Sequence, residues 1–176
     1  TLVSVILLLM AFNSVPEGPE NNEVWITVLD VGQGTSILIQ SRDEAWVYDL
    51  GRSGSPRFNS SEHNLLPLLR RRGIQRLDGL VISHADNDHY GAYTAFLSQI
   101  EVGELWLGEL LEGLAPNRFR YCRPGLSHRS SAMALEVLHP AIDQWEGNNA
   151  SCVLKLTLNG SIVWLLTGDI ERAAER

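Results

Sequence analysis

Between Gly79 and Gly91 the chain passes from an apolar strand into a loop crowded with ligand-type side chains, and this passage constrains the fold more than any other. Leu80-Val81-Ile82 is short, apolar and β-prone, the pattern of a buried strand. The residues that follow put His84, Asp86, Asp88 and His89 within a span of six positions. A loop at a strand mouth can aim imidazoles and carboxylates at one point while the strand holds them still. Asp86-Asn87-Asp88 alone is also good turn chemistry, because Asp and Asn bond their own backbone. Asp88 is further suited to cap a helix over about residues 89–99. The two histidines at fixed offsets favour a metal site over a plain turn, and Asp88 can serve as cap and ligand together.

At 176 residues the chain is one domain by length, with an ordinary globular balance of 44% hydrophobic and 20% charged residues. The net charge of −7 argues against a general electrostatic grip on a phosphate backbone. Arg70-Arg71-Arg72 with Arg76, and Arg118 with Arg120 and Arg123, are local basic strips that read as solvated faces. Cys122 and Cys152 are too few for a disulfide scaffold and form no Cys-x-x-Cys pair. One bridge or two thiols are both open. No Gly-x-Ser-x-Gly elbow and no phosphate-cradling P-loop occurs.

Residues 2–12 are almost wholly apolar, but a bilayer span needs about 20 such residues. Residues 1–13 are read as the end of a truncated transmembrane helix and 14–23, rich in Pro, Gly and polar residues, as a linker. From residue 24 to 176 the chain reads as one α/β unit. Val24–Leu29, Thr35–Ile39 and Ala45–Tyr48 are strands of a meander, with a glycine-bearing turn at Asp30-Val31-Gly32-Gln33-Gly34. A helix is expected from Glu62 to Arg72, stopped by Gly73. Leu105–Leu107, Ala134–His139, Cys152–Leu156 and Ser161–Leu166 are further strands, the last two joined by an Asn159-Gly160 hairpin turn. Residues 108–132 carry little pattern and are expected to be loops with short elements. His63 and His128 read as surface residues and His139 as structural.

His84-Ala85-Asp86-Asn87-Asp88-His89 resembles the His-x-His-x-Asp-His signature of the metallo-β-lactamase superfamily, with Asp86 in place of the second histidine. Together with Val31-Gly32-Gln33-Gly34 and Leu166-Thr167-Gly168-Asp169, it looks like the hydrolase domain of the ComEC family of DNA-uptake channel proteins. The resemblance runs over residues 24–172. It implies an α/β architecture, a metallo-β-lactamase-like αββα sandwich, incomplete here at the C-terminus because the family's later His-His-Gly-Ser motif is not in these residues. It implies metal ligands at His84, Asp86, Asp88, His89 and Asp169, the last bridging two ions. It makes Asp49 a carboxylate that orients the metal loop, and puts Asp30 and Gln33 near the site. Asn149 and Ser151 stand where many superfamily members carry another histidine, as in the ComEC-like members. Gly91-Ala92 satisfies the family's small residues after the signature.

Two histidines and three carboxylates make an oxygen-rich site, suited to two divalent ions, Mn²⁺ or Zn²⁺, with Mg²⁺ also compatible. Such a pair activates water and neutralises phosphoryl charge, so no side-chain nucleophile is needed. Asp88 is the expected catalytic residue, steering the water as well as binding metal. The resemblance implies a nuclease that acts on DNA, a single strand in particular, during natural transformation. It implies attachment to an inner-membrane channel, an extracytoplasmic soluble domain, and other competence proteins as partners. Two alternatives stand beside it: a non-catalytic domain that guides DNA, and hydrolysis of another ester by the same fold.

Overall fold

The computed structural model describes residues 17–55, 58–91, 93–111, 114, 118–141 and 145–175. The apolar run 2–12 and Ala92 lie outside the described residues. Strands β1 (Trp25–Val28), β2 (Ile37–Gln40) and β3 (Ala45–Tyr48) form the expected antiparallel meander. A small hairpin follows, β4 (Ser53–Ser55) with β5 (Phe58–Asn59). A π-helical turn, Ser61–Leu65, leads directly into α1 (Leu66–Arg71), close to the helix expected over 62–72. Strand β6 (Arg76–Ile82) then lies parallel to β3, with Trp46, Val47 and Tyr48 opposite Gly79, Leu80 and Val81.

After the metal loop come two short helices, α2 (Asn87–Tyr90) and α3 (Tyr93–Leu97). This corrects the reading of Asp88 as a cap. The extended residue at the helix start is Asp86, and Asp88 falls inside the first turn. Strands β7 (Glu101–Leu107) and β8 (Arg120–Tyr121) continue the first sheet in parallel, giving the order β1-β2-β3-β6-β7-β8. The second sheet is antiparallel: β9 (Ser127–Arg129), β10 (Met133–His139), β11 (Val153–Leu158) and β12 (Ile162–Leu166), in the order β12-β11-β10-β9. Asn159 and Gly160 both have positive φ, 49° and 75°, as a two-residue hairpin turn demands.

Alternation along the strands builds two cores. Val47, Leu80, Ile82, Leu105 and Leu107 face Leu65, Leu66 and Leu69 of the helical segment and Tyr93 and Phe96 of α3. Trp46, Tyr48, Val81 and Trp106 face the other way, onto Met133, Leu135, Val137, Leu154, Leu156 and Leu158 of the second sheet. The result is helix layer, sheet, sheet. Among the described residues no helix covers the outer face of the second sheet. Gly79 has a packing reason: a Cβ there would lie 2.1 Å from the Trp46 ring, which needs that space to meet Trp106 edge-on at 4.9 Å.

One point left open by the sequence is settled and one expectation is refined. Cys122 and Cys152 are bridged, joining the segment after β8 to the start of β11 and so the two sheets. His128 is half-buried on β9. Its side chain is packed against Trp46 at 4.8 Å and its Nε2 lies 2.6 Å from Glu44, which also accepts from the Ser130 hydroxyl. His63 is exposed and His139 is structural, its Nε2 bonded to the Asn149 carbonyl at 2.8 Å. The arginine strips behave as solvated faces: Arg70 meets Gln99, Arg72 meets Gln40, Arg76 pairs with Glu101 and Arg120 with Glu104.

A bridge across a separation of 30 residues constrains the unfolded chain. Its reduction should lower unfolding free energy by about 3 kcal/mol. Denaturant titration with and without reductant checks this, and coincident curves would contradict it.

Candidate metal centre

The centre sits where β3, β6 and β12 end. Asp49 follows β3 and takes a left-handed backbone, φ 59°, which costs an L-residue roughly 1–2 kcal/mol. Fully buried, it holds its neighbours by accepting three hydrogen bonds. Its Oδ1 accepts from the Ser83 N–H at 2.7 Å. Its Oδ2 accepts from the Ser83 hydroxyl at 2.8 Å and from His89 Nδ1–H at 2.7 Å. The strand mouth is clamped from behind as well. The Ser83 carbonyl accepts from the Cys152 N–H at 2.8 Å, and the Cys152 carbonyl accepts from the buried Tyr48 hydroxyl at 2.8 Å. Burial first, then the Asp49 charge, holds that hydroxyl well above its ordinary pKa, so it stays a donor.

Helix α2 is one turn, and it sets the loop. The Asp86 carbonyl accepts from His89 and Tyr90 N–H groups at 2.9 and 3.0 Å. The His89 carbonyl in turn accepts from the Leu50 N–H at 2.8 Å. The turn after β1 leans on this loop: at Gly34, φ 92°, a Cβ would lie 1.8 Å from the Asp88 carbonyl oxygen. Only glycine permits that approach.

The side chains converge from two sheets. His84 and His89 are fully buried, their rings 4.2 Å apart. Asp86 Oδ2 is 3.5 Å from His84 Nε2, Asp88 Oδ1 is 3.9 Å from His89 Nε2, and Asp169 Oδ2 is 3.4 Å from His89 Nε2. One ligand atom each from His84, His89 and Asp169 falls within a mutual 4.8 Å. The histidines form the floor, and the partly exposed carboxylates of Asp86, Asp88 and Asp169 form the rim. His84 Nε2 and His89 Nε2 are both buried without a hydrogen-bond partner. Buried polar atoms are nearly always satisfied, so two orphaned imidazole nitrogens facing carboxylates fit a bound cation.

Burial alone would push the His89 pKa down. The hydrogen bond to Asp49 and the charges of Asp49, Asp169 and Asp88 outweigh it and raise the pKa from 6.5 to about 9. The same field that holds a proton there would attract a divalent ion.

Of the five expected ligand residues, His84, His89 and Asp169 converge, Asp86 lies beside His84 and Asp88 beside His89, and Asp49 touches two of the loop's side chains. Asp30 and Gln33 lie in the turn whose Gly34 packs on the Asp88 carbonyl. Asp30 accepts from the Gly32 N–H at 3.2 Å and from Asn64 Nδ2, through its carbonyl, at 2.8 Å, and so shapes its own turn. Gln33 is exposed. Sequence reasoning missed Ser83, whose small buried hydroxyl meets Asp49 and lies 3.0 Å from His84 Nδ1. It also gave Ser151 no role, although that hydroxyl lies 3.3 Å from the same nitrogen. A serine between a strand and a ligand histidine was the one local signal.

A family model described as the metallo-beta-lactamase superfamily matches residues 29–153. Competence protein ComA of Neisseria gonorrhoeae is 32% identical over 97% of this chain and 23% of its own length. Recombination protein 2 of Haemophilus influenzae is 31% identical over 97% of this chain and 21% of its own length. ComE operon protein 3 of Bacillus subtilis is 27% identical over 89% of this chain and 23% of its own length. The chain therefore spans between a fifth and a quarter of these relatives. Among solved structures, a Cronobacter sakazakii metallo-β-lactamase with a HARLDQ motif shares the fold at TM-score 0.52 and 16% identity, over 92% of this chain and 62% of that one. MEM-A1, a subclass B3 metallo-β-lactamase from a soil metagenome, does so at 0.53 and 15%, over 85% and 61%.

In the metal-free chain, NMR titration should find His89 protonated until about pH 9. Its contribution to stability is then complete below the unfolded value of 6.5 and lost as pH rises through about 9. Asp49→Asn should bring the titration back toward or below 6.5, and a wild-type midpoint already at 6.5 would contradict the assigned geometry.

Proposed function

The chain belongs to the metallo-β-lactamase superfamily, and from that premise we propose that it is a metal-dependent phosphodiesterase that cleaves DNA during uptake across the inner membrane. The observation that carries the reading is the pair of buried, unpartnered Nε2 atoms of His84 and His89 facing three carboxylates. His84, Asp86, Asp88, His89 and Asp169 are the residues that would hold the divalent ions. This carboxylate-rich set suits Mn²⁺ or Zn²⁺, with Mg²⁺ also compatible. Bound there, the ions supply a water of lowered pKa and positive charge for the phosphoryl oxygens.

The chain's own residues do the rest. Asp88, about one-third exposed, sits on the rim where it can accept the proton of an attacking water. Asp49 holds His89 through Nδ1, which keeps the opposite nitrogen aimed at the rim. The buried floor keeps these groups from rearranging when charge develops.

The DNA substrate rests on the relatives named competence protein ComA and ComE operon protein 3. The proposal extends, on the resemblance to the ComEC family, to a parent protein anchored in the inner membrane that handles a single strand and works with other competence proteins. The Cys122–Cys152 bridge supports an extracytoplasmic position, because disulfides persist in oxidising compartments. No helix of the described residues is long and apolar enough to cross a membrane. The net charge of −7 favours a second reading, a DNA-guiding domain without catalysis that relies on other parts of the protein for affinity.

Asp88→Ala and His84→Ala should each lower Mn²⁺-stimulated cleavage of single-stranded DNA by about 100-fold or more. Gel-based cleavage assays check this. Wild-type turnover in both variants would sink the catalytic assignment, and bound Mn²⁺ with no cleavage by the unaltered chain would leave the guiding reading.

A further inference from the structure

Ser83 and Ser151 flank the Nδ1 side of His84, with Oγ–Nδ1 distances of 3.0 and 3.3 Å. All three residues are fully buried, so no solvent competes for these contacts. A hydroxyl has one proton to donate. Ser83 gives its proton to the Asp49 carboxylate, which can only accept, at 2.8 Å. Ser151 gives its proton to the Asn148 carbonyl, which also can only accept, at 2.7 Å. Both oxygens therefore turn lone pairs toward Nδ1. A proton on Nδ1 satisfies them; a lone pair there would leave three acceptors facing one another in a buried space.

We propose that Ser151, acting with Ser83, is a positioning residue that holds neutral His84 as its Nδ1–H tautomer and leaves Nε2 unprotonated toward the rim. The orphaned state of His84 Nε2 agrees with this. The opposite tautomer would have to direct Nε2–H at Asp86 Oδ2, 3.5 Å away, while stranding both serine oxygens. The significance for metal binding rests on the function proposed above; the tautomer itself does not.

Ser151 has a second contact that makes it more than a local support. Its Oγ accepts from the Asp169 N–H at 3.1 Å. One oxygen thus ties the end of β12 to the histidine at the end of β6. The approach is close: at Gly168, φ 54°, a Cβ would lie 2.7 Å from Ser151 Oγ and 2.9 Å from Ser83 Cβ. The histidine from the first sheet and the aspartate from the second are therefore registered against each other through a hydroxyl that neither element contributes.

The test is the ¹⁵N imidazole spectrum of the metal-free chain with labelled histidine, recorded at a pH where the His84 shifts no longer change, followed by calorimetry with Zn²⁺ alone. The wild type should show a pyrrole-type Nδ1 and a pyridine-type Nε2 at His84. In Ser151→Ala the two shifts should move toward each other and Zn²⁺ should bind about 10-fold more weakly. Ser151→Thr, which keeps the hydroxyl, should restore both. A protonated Nε2 in the wild type overturns the proposal whether or not the variants fold. Unchanged shifts and unchanged Zn²⁺ affinity in Ser151→Ala overturn the part given to Ser151. A wild type with the Nδ1–H tautomer that binds no Zn²⁺ would remove the metal reading and uphold this one.

Discussion

The carboxylate of Asp49 is the fixed point of the centre. It is wholly buried, and it satisfies three donors from the loop that carries the histidines. Parallel pairing of β3 with β6 brings it there, since the Asp49 N–H continues the ladder onto the Val81 carbonyl at 2.8 Å. The left-handed backbone then turns the side chain under the loop. Charge-assisted hydrogen bonds of this kind are each worth about 1.5–3 kcal/mol, enough to offset the backbone cost. Without Asp49 the loop would keep its ligands but lose the groups that orient them.

The centre also belongs to both sheets, and this makes the sandwich interface part of the chemistry. His84 and His89 come from the first sheet, Asp169 and Ser151 from the second. Trp46, Trp106 and Tyr48 fill the space between them. The Cys122–Cys152 bridge and the Tyr48-to-Cys152 hydrogen bond fasten the sheets one residue from Ser151. At Gly108 a Cβ would lie 1.8 Å from the Ser83 carbonyl and 2.5 Å from the Ala150 carbonyl, so the sheets meet there with no side chain between them. A shift between the sheets would therefore move Asp169 relative to His89 as well as disturb the core packed between them.

Much of this was legible where local chemistry and tertiary demand agree. The meander, the strand before His84 and the Asn159-Gly160 turn follow from patterns within a few residues, while the approach of Asp169 to His84 and His89 was implied by the family resemblance. The misreadings arise where distant partners decide. β8 and β9 are short and exposed, and pairing with β7 and β10 defines them rather than any alternation of their own. β6 and β7 begin several residues earlier than their apolar cores because each has a neighbour to pair with. Bridging of the cysteines needs a Cα separation, 5.6 Å here, that no sequence spacing reveals. His128 is drawn inward by Glu44, 84 positions away. Asp88 does not cap α2 because the helix begins one residue before it, at Asn87.

Anomalous scattering from crystals of the chain grown with Mn²⁺ tests the account most directly. The predicted result is density at coordination distance from His84 Nε2 and from His89 Nε2. Density confined to surface carboxylates, with both imidazole nitrogens bare at saturating Mn²⁺, would contradict the metal centre and the hydrolytic function built on it.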